Sequence, residues 1–326
     1  MNISRASGAA MTMNMLGAKG VPFIFIIDFE IKTPAVVPLS EVNTGDILFN
    51  FDGFTNFVEK TPPAENFDFR KYPVSYNDYK QAFNNVMNNL EEGNSYLLNL
   101  TFPTRIETVL SLEDIFLMSR AKYRLLYKDQ FVLFSPEIFV KISDGIISSY
   151  PMKGTIRGDI EDAESKILED EKELAEHITI VDLIRNDLSI VAKNVTVKKF
   201  RYIDRVRTIN GDLLQVSSEI TGELPDDWRD RIGEIIFALL PAGSITGAPK
   251  RKTIEIIKEA ESDSRGYYTG VCGYFDGKSL NSGVMIRFIE KKDGTMYYRS
   301  GGGITVYSDP LSEYNELVDK IYVTAG

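Results

Sequence analysis

The sequence predicts an α+β fold instead of a doubly wound parallel sheet. Its segments of strand character follow one another closely and are joined by hairpin signals such as Asp144-Gly145, Asp276-Gly277 and Asp293-Gly294. The helical segments stand in separate runs, whereas a parallel sheet needs strands and helices that alternate. No internal repeat and no long Gly/Ser or Pro-rich linker divides the chain, so we expect a single domain, residues 1–326.

The first half of the chain predicts strands and one amphipathic helix. Residues 21–29 are strongly apolar but too short to span a bilayer, which indicates a buried strand. The proline-containing residues 60–73 predict an irregular connection. Further strands are predicted at 96–105 and 131–141. A helix is expected over residues 75–92, with Ser75 as its N-cap and an apolar stripe at Tyr79, Phe83, Val86 and Leu90.

The second half contains the remaining helices and strands. A long helix is expected from Ala163 towards Asp187, and it is apolar almost all round at residues 178–184, which predicts that this part is buried. Other helices are predicted over residues 226–240, after Pro249, and from Pro310. Strands are expected at residues 196–206, 270–276, 283–291 and 296–300.

Composition excludes several classes of protein. The net charge of −10 argues against a nucleic-acid-binding face. The single cysteine, Cys272, excludes an internal disulfide framework and favours a reducing compartment. The first residues resemble neither a signal peptide nor a membrane anchor, so we expect a cytoplasmic protein without a membrane partner. One cysteine and one histidine, His177, do not make up a zinc cluster or a Cys–His glutaminase dyad, and His177 fits a core position as well as a ligand position.

Two predicted helices each present a pair of glutamates. On the helix at 163–187, Glu173 and Glu176 share the face that leads into the apolar part. On the terminal helix one stripe consists of Glu313, Glu316 and Lys320. The three glycines 301–303 just before that helix allow a ligand to approach the backbone. Paired carboxylates suit a hard cation such as Mg²⁺, and the alternative is that both helices have solvated faces with ordinary ion pairs.

Two further segments have the composition of ligand-binding loops. Residues 241–250 are rich in glycine and lead into a helix, whose N-terminal N–H groups favour a carboxylate or a phosphate, although P-loop spacing is absent. Lys153 lies between Pro151 and Gly154, where a partly desolvated lysine can have a lowered pKa and act as a nucleophile. Taken alone, the loop could equally be a tight helix entry and the lysine a surface residue.

Four motifs, taken in chain order, resemble those of the chorismate-utilising enzymes, the family of aminodeoxychorismate, anthranilate, isochorismate and salicylate synthases. The motifs are Pro151-Met152-Lys153-Gly154-Thr155, Ala175-Glu176-His177 with Val181-Asp182-Leu183-Ile184-Arg185-Asn186-Asp187, Gly243-Ser244-Ile245-Thr246-Gly247-Ala248-Pro249-Lys250, and Gly301-Gly302-Gly303 with Glu313-Tyr314-Asn315-Glu316. The resemblance implies a large α+β fold with antiparallel β-sheets and flanking helices around one central active site. Residues 1–73 would be a shortened N-terminal portion of that fold.

The resemblance also implies a magnesium-dependent site for chorismate. Mg²⁺ would join one substrate carboxylate to Glu176 and Glu316, with Glu173 and Glu313 in support. Arg287 suits a bidentate contact with the other carboxylate. The complete set of substrate-binding positions that the resemblance implies is Ser244, Thr246, Tyr268, Arg287, Gly301, Gly302 and Lys320.

The residue at position 153 distinguishes reactions within the family. Members that aminate C4 of chorismate resemble the form with Lys153, where the lysine is proposed to add at C2 as the 4-hydroxyl leaves, whereas anthranilate synthases usually carry alanine. Glu137 matches the candidate general acid for that hydroxyl, and Thr155 completes the expected catalytic residues. Leu97 stands where isochorismate and salicylate synthases place a water-activating lysine, which disfavours attack by water at C2.

The leading expectation is an aminodeoxychorismate synthase component I, which forms 4-amino-4-deoxychorismate in p-aminobenzoate and folate biosynthesis. A separate glutamine amidotransferase partner is implied as the source of ammonia. One alternative is anthranilate synthase component I, which Lys153 disfavours. Another is a non-catalytic subunit that binds chorismate or a different dicarboxylate. Leu214 or Gln215 replaces a histidine that the family often has in this strand, and this departure keeps the second alternative open.

Overall fold

The computed structural model describes residues 3–59, 67–208 and 211–323. The helices in these ranges are α1 (Ile3–Ala18), α2 (Tyr76–Glu91), α3 (Leu112–Met118), α4 (Ala163–Glu169), α5 (Glu171–Ser189), α6 (Ile232–Leu239), α7 (Lys250–Ala260) and α8 (Pro310–Asp319). The strands are β1 (Phe23–Ile27), β2 (Ala35–Pro38), β3 (Ile47–Phe51), β4 (Phe54–Thr55), β5 (Phe69–Tyr72), β6 (Leu97–Thr108), β7 (Tyr123–Tyr127), β8 (Phe131–Ser135), β9 (Ile138–Ser143), β10 (Ile146–Ser149), β11 (Met152–Arg157), β12 (Lys193–Thr208), β13 (Gly211–Glu223), β14 (Gly247–Ala248), β15 (Val271–Phe275), β16 (Leu280–Val284), β17 (Phe288–Lys292) and β18 (Thr295–Ile304).

The strands form two nine-stranded antiparallel sheets. The first sheet has the order β11-β13-β10-β9-β16-β15-β1-β2, with β12 beside β13. The second has the order β14-β6-β18-β17-β8-β7-β3-β4, with β5 beside β6. The first two strands of the chain therefore join the first sheet, and the next two join the second. This arrangement confirms the α+β fold with antiparallel sheets that the sequence predicts.

Several local predictions are confirmed, one is corrected, and one helix was not predicted. Strand β1 is completely buried, and the hydroxyl of Ser75 accepts a hydrogen bond from the backbone N–H of Asp78 at the start of α2. The predicted stripe of α2 is buried. Helix α1 was not predicted, because its small residues and methionines have no strong apolar period. The predicted irregular connection is wrong at its end, where β5 pairs with β6; residues 60–66 lie outside the described residues.

Two predicted strands are in fact interrupted where the chain passes between the sheets. The strand expected at 131–141 is divided at Pro136 into β8 of the second sheet and β9 of the first. The strand expected at 283–291 is divided in the same way into β16 and β17, with Arg287 in the connection. The two connections lie side by side, because Val284 N–H donates to the carbonyl of Glu137 at 3.1 Å and Phe134 N–H to that of Arg287 at 3.0 Å. Glu137 and Arg287 are thus placed together between the sheets.

The predicted long helix at 163–187 is two helices. Asp170 separates α4 from α5, and its side chain caps α5 by accepting a hydrogen bond from Glu173 N–H at 2.9 Å. The prediction that residues 178–184 are buried all round is wrong, because Ile178 is 49% exposed and Asp182 is exposed. Helix α5 packs on β11, β12 and β13 and on residues Gly243–Ile245, whereas Ile178 and Asp182 point to solvent.

A buried ion pair joins the glycine-rich loop to the second sheet. The guanidinium of Arg265 binds Oε1 of Glu261 at 2.7 Å, and the two side chains are 1% and 5% exposed. The same guanidinium donates to the carbonyls of Ile245 at 3.0 Å and Asn99 at 2.5 Å. Glu261 also accepts from the backbone N–H of Thr101 at 2.9 Å. The pair therefore holds residues 241–250 against β6, which lies next to the glycines of β18.

Replacing Arg265 by methionine is expected to lower the free energy of unfolding by about 3–5 kcal/mol, because Glu261 would remain as a buried charge without its partner. Chemical denaturation followed by circular dichroism measures this change. Arg251→Met is the control, because that side chain is 97% exposed in its ion pair with Glu255 on α7, and the expected loss is at most about 1 kcal/mol. Similar losses in both variants would contradict the role assigned to the buried pair.

None of the helices within the described residues combines the length and the apolar character that crossing a bilayer requires.

Candidate active site

Lys153 lies on β11 beside the carboxylates of α5. Its Nζ donates a hydrogen bond to Oε2 of Glu176, and the two side chains are 28% and 11% exposed. Glu173, one turn earlier on α5, approaches the next residue of β11, since a Cβ added at Gly154 would lie 3.3 Å from its Oε2. The structure therefore brings Lys153, Glu173 and Glu176 together, as the sequence predicts for one wall of the site.

The protonation of Lys153 differs from the sequence-based expectation of a lowered pKa. Burial lowers the pKa of this lysine, but the negative charges of Glu176, Glu173 and Glu316 outweigh burial and raise it above its usual value. Lys153 is therefore held as the ammonium ion in this arrangement. It must give up a proton before it can act as a nucleophile.

Thr155 is turned away from this wall by a β-bulge. The register of β11 on β13 shifts between Lys153 and Thr155, so that Lys153 lies opposite Val216 and Thr155 opposite Gln215. Val216 and Gln215 are neighbours on β13, and neighbouring residues of a strand point to opposite faces. Their partners Lys153 and Thr155 therefore also point to opposite faces of the sheet. Thr155 is exposed, and its hydroxyl accepts a hydrogen bond from Nε2 of Gln215 at 3.3 Å. The structure thus does not bring Thr155 together with Lys153.

Strand β18 and helix α8 form the opposite wall. A Cβ added at Gly302 would lie 3.3 Å from Oε2 of Glu313, 3.9 Å from Oε1 of Glu316 and 4.0 Å from Nζ of Lys320. A Cβ added at the next glycine, Gly303, would lie 3.9 Å from Nζ of Lys153. Gly302 therefore lies close to the charged groups of α8, and Gly303 lies close to Lys153.

The charged side chains of α8 are held by local contacts. Lys320 pairs with Oε1 of Glu316 at 2.6 Å and donates to the carbonyl of Gly301 at 3.0 Å. Glu313 is 8% exposed, and its Oε1 accepts a hydrogen bond from Ser308 at 2.8 Å. Sequence reasoning did not predict Ser308 as a partner, because its contact arises from the turn that precedes α8.

Glu137 lies in the connection from β8 to β9 and faces the cations of the site. Burial raises the pKa of its carboxyl, against the hydrogen bond from Ser244 and the positive charges of Arg287, Lys153 and Lys320, which lower it. A carboxyl with a raised pKa keeps its proton to higher pH than an exposed glutamate. Glu137 is therefore suited to donate a proton.

Arg287 and Tyr268 lie close together, because Thr269 N–H donates to the carbonyl of Met285 at 2.8 Å. Arg287 has a positive φ of 51° in the connection from β16 to β17, and its guanidinium lies 5.6 Å from the ring centre of Tyr322. Tyr268 is 4% exposed, and burial raises its pKa to about 12, which the positive charges of Arg265 and Arg287 oppose. The phenol therefore stays neutral beside a guanidinium, and the two groups can share an anionic ligand.

The glycine-rich loop offers one of its two predicted hydroxyls to the site. Ser244 donates a hydrogen bond to Oε1 of Glu137. Thr246 is completely buried, and its hydroxyl donates to the carbonyl of Ala242. Thr246 thus closes the loop on itself, and its side chain does not reach the ligand-binding residues.

His177 follows Glu176 on α5 but belongs to the core. It is 1% exposed, and its Nε2 lies 2.7 Å from the hydroxyl of Ser218. Burial, with the positive charges of Arg201 and Lys153, lowers its pKa to about 4, so the imidazole is neutral at physiological pH. Of the two positions that the sequence left open for this residue, the structure favours the core.

The carboxylates of α5 and α8 have the donor chemistry of a hard-cation site, and Glu176, Glu173 and Glu316 are all close enough to Lys153 for their charges to raise its pKa. Glu173 and Glu176 from α5 and Glu313 and Glu316 from α8 supply oxygen donors only, which Mg²⁺ prefers. Within the described residues, no group of three or more His, Cys, Asp or Glu side chains is arranged to hold a metal by itself. Mg²⁺ usually takes one or two carboxylates and completes its coordination with water and substrate, so this donor set fits an ion shared with a ligand.

A model of the family described as "chorismate binding enzyme" matches residues 39–326. The chain belongs to this family. The chain is 52% identical to an "Uncharacterized PabA-like protein" of Haemophilus influenzae over 310 residues, which cover 95% of this chain and 94% of that protein. That extent confirms the family resemblance of the sequence motifs.

More distant chorismate-binding relatives have two different names. The chain is 38% identical to anthranilate synthase component 1 of Acetivibrio thermocellus over 195 residues, 57% of this chain and 38% of that protein. It is 36% identical to aminodeoxychorismate synthase component 1 of Bacillus subtilis over 201 residues, 59% of this chain and 42% of that protein. The fold matches the menaquinone-specific isochorismate synthase of Escherichia coli with a TM-score of 0.74 at 15% identity, over 98% of this chain and 81% of that one.

Proposed function

We propose that this chorismate-binding enzyme is an aminodeoxychorismate synthase component I, which converts chorismate and ammonia to 4-amino-4-deoxychorismate. The observation that carries the proposal is the position of Lys153, ion-paired with Glu176 and adjacent to the glycines of β18. Lysine at this position is the feature that the resemblance associates with amination at C4. Leu97 also supports it, because the resemblance implies a lysine at this position in enzymes that activate water for attack at C2. The side chain of Leu97 lies 3.2 Å from a Cβ added at Gly303.

The arrangement of charges supports separate binding positions for the two carboxylates of chorismate. Arg287 and Tyr268, with the backbone N–H groups of Gly301 and Gly302, would hold one carboxylate of chorismate. Bound Mg²⁺ would neutralise the other carboxylate, and Glu176 and Glu316 would hold the ion, with Glu173 and Glu313 in support. The ring of the substrate would then lie between Lys153 and Glu137.

The reaction proceeds in two displacements in this proposal. Once Lys153 has lost a proton to solvent, its Nζ forms a bond to C2, both ring double bonds shift, and the C4–O bond breaks. Glu137 donates its proton to the departing hydroxyl, which leaves as water. Ammonia then forms a bond to C4, both double bonds shift back, and the C2–N bond breaks to release Lys153. The proton that ammonia loses restores the acid form of Glu137.

The proposal includes a separate glutamine amidotransferase that supplies ammonia. The support for this partner is indirect and consists of the family and the names of relatives such as aminodeoxychorismate synthase component 1. Anthranilate synthase component I is the second candidate, because several relatives have that name. Lys153 disfavours it. A non-catalytic binding subunit is disfavoured because the chain retains the residues to which the resemblance gives catalytic or metal-binding roles, namely Lys153, Glu137, Glu176 and Glu316.

Product identification tests the proposal directly. Purified protein is incubated with chorismate, Mg²⁺ and an ammonium salt, and the products are identified by mass spectrometry. We expect aminodeoxychorismate. Anthranilate together with pyruvate would overturn the proposal in favour of the second candidate, and chorismate bound but unchanged would favour a binding subunit.

Activity is expected to depend on Mg²⁺ and on Glu316. Chelation with EDTA should abolish turnover, and added Mg²⁺ should restore it. Glu316→Gln should raise the Mg²⁺ concentration required for half-maximal activity about tenfold or more, because it removes one anionic oxygen ligand. Glu255→Gln, on the exposed face of α7, is the control and should leave the Mg²⁺ titration unchanged. Equal titrations for wild type and Glu316→Gln would remove Glu316 from the metal site.

A further inference from the structure

A second ion pair lies beside the site and has no part in the reaction proposed above. Nζ of Lys250, the first residue of α7, lies 2.8 Å from Oδ2 of Asp187 near the end of α5, and the side chains are 19% and 15% exposed. The same Nζ donates to the carbonyl of Leu239, the last residue of α6, at 3.0 Å. The pair therefore joins three helix ends at the glycine-rich loop. The sequence predicts that this loop binds an anionic ligand. In the structure, the ammonium group of Lys250 binds the carboxylate of Asp187.

The loop packs closely against this ion pair. A Cβ added at Gly243 would lie 2.8 Å from Oδ2 of Asp187 and 3.1 Å from the side chain of Leu183, so the backbone of the loop rests directly on α5. The next residue is Ser244, which donates its hydroxyl hydrogen bond to Glu137. A continuous chain of contacts therefore runs from the ion pair through the loop to the proposed general acid.

A cavity of about 80 Å³ connects the same groups. Its lining includes Glu137, Lys153, Ser244 and Asp187. The rest of the lining is mostly apolar and includes Phe139, Val140, Ile180, Ile184 and Leu188. A displacement of Ser244 toward this space would move its hydroxyl from the carboxyl of Glu137 into largely apolar surroundings.

We propose that the Asp187–Lys250 ion pair is a positioning element that fixes Ser244 against Glu137. The inference rests on the proposed function only in taking Glu137 as the general acid. Asp187 and Lys250 do not contact the substrate in this proposal; they act through the loop. Breaking the pair would remove the anchor of the loop on α5 and weaken the Ser244 hydrogen bond, while Arg265 would still hold the carbonyl of Ile245. Arg287 and Tyr268 would stay in place to bind the substrate.

The expected effect on Glu137 has a definite sign. The groups that face its carboxyl are the hydroxyl of Ser244 and the cations of Arg287, Lys153 and Lys320. A hydrogen bond to a carboxylate stabilises its charged form, so losing the Ser244 bond raises the pKa of Glu137. Because catalysis needs the protonated acid, the limb of the pH profile where activity falls with rising pH should move to higher pH.

The test compares pH profiles of kcat for product formation from chorismate. Asp187→Asn should move the basic limb upward by about one pH unit and lower kcat about tenfold, with KM for chorismate within about twofold. Ser244→Ala should cause the same shift, and Asp187→Asn in the Ser244→Ala background should cause no further shift. Asp182→Asn is the matched control, because it breaks an exposed pair with Arg185 on the same helix and should leave the profile unchanged.

Lys250→Met and Lys250→Arg keep the test decisive if Asp187→Asn fails to fold. Lys250→Met should reproduce the upward shift of the basic limb. Lys250→Arg should keep the limb close to its wild-type position, because arginine retains the positive charge. A shift of the same size for Asp187→Asn with and without Ser244, or no shift in any variant, would overturn the positioning role. If the proposed function is wrong, the wild-type protein forms a product other than aminodeoxychorismate. This outcome is distinct from failure of the positioning role, which is read from the variants.

Discussion

Replacing Lys153 by alanine is expected to lower the rate of aminodeoxychorismate formation about a thousandfold or more, since the proposed adduct at C2 can no longer form. The substitution removes the ammonium group that pairs with Glu176 but leaves the glycines of β18 and Arg287 unchanged. Chorismate binding should therefore persist. Steady-state turnover with mass-spectrometric product identification measures the first effect, and isothermal calorimetry with chorismate measures the second.

Lys141→Ala is the matched control for this variant. Lys141 lies on β9, pairs with Asp52 at 2.6 Å and is 31% exposed, close to the 28% of Lys153. Loss of this pair should leave turnover within about twofold, because the residue is not among those that form the site. If Lys153→Ala retains the turnover and product of the wild type, the covalent role is wrong even though the family assignment stands.

Replacing Glu137 by glutamine is expected to lower kcat by about 10²–10⁴-fold, because an amide cannot donate the proton that the departing hydroxyl needs. The dependence on pH follows from the direction of the shift. Burial raises the pKa of Glu137, so its acid form and the activity that depends on it are fully present below that pKa and are lost as pH rises through it. The wild-type profile should show this basic limb, and the residual activity of Glu137→Gln should lack it.

A control at an exposed glutamate tests whether the basic limb of the pH profile belongs to Glu137. Glu107→Gln removes a carboxylate of β6 that binds Tyr72 and Arg105 at the surface, and its pH profile should match that of the wild type. A Glu137→Gln variant that keeps both the wild-type rate and the basic limb would exclude Glu137 as the acid.

Local structure was predictable where neighbouring residues determine it. The cap at Ser75, the buried stripe of α2 and the burial of β1 follow from residues close together in sequence. The breaks at Glu137 and Arg287 lie at polar positions, and Pro136 was a local signal for the first of them. The sequence did not show that the chain passes from one sheet to the other there, because the residues on both sides of each break have the same strand character. The exposure of Ile178 has a similar cause, since only the neighbours of α5 decide which side is covered.

The sequence by itself determined the family and the residue types of the site, because motifs such as 151–155 and 301–303 are continuous in the chain. Only the tertiary structure decided which charges meet. It paired Lys153 with Glu176 and Lys250 with Asp187, and through one bulge it turned Thr155 to the other face of β11. The physical reason is that electrostatic energy depends on distance through space, and segments far apart in sequence acquire their distances only when the two sheets are assembled.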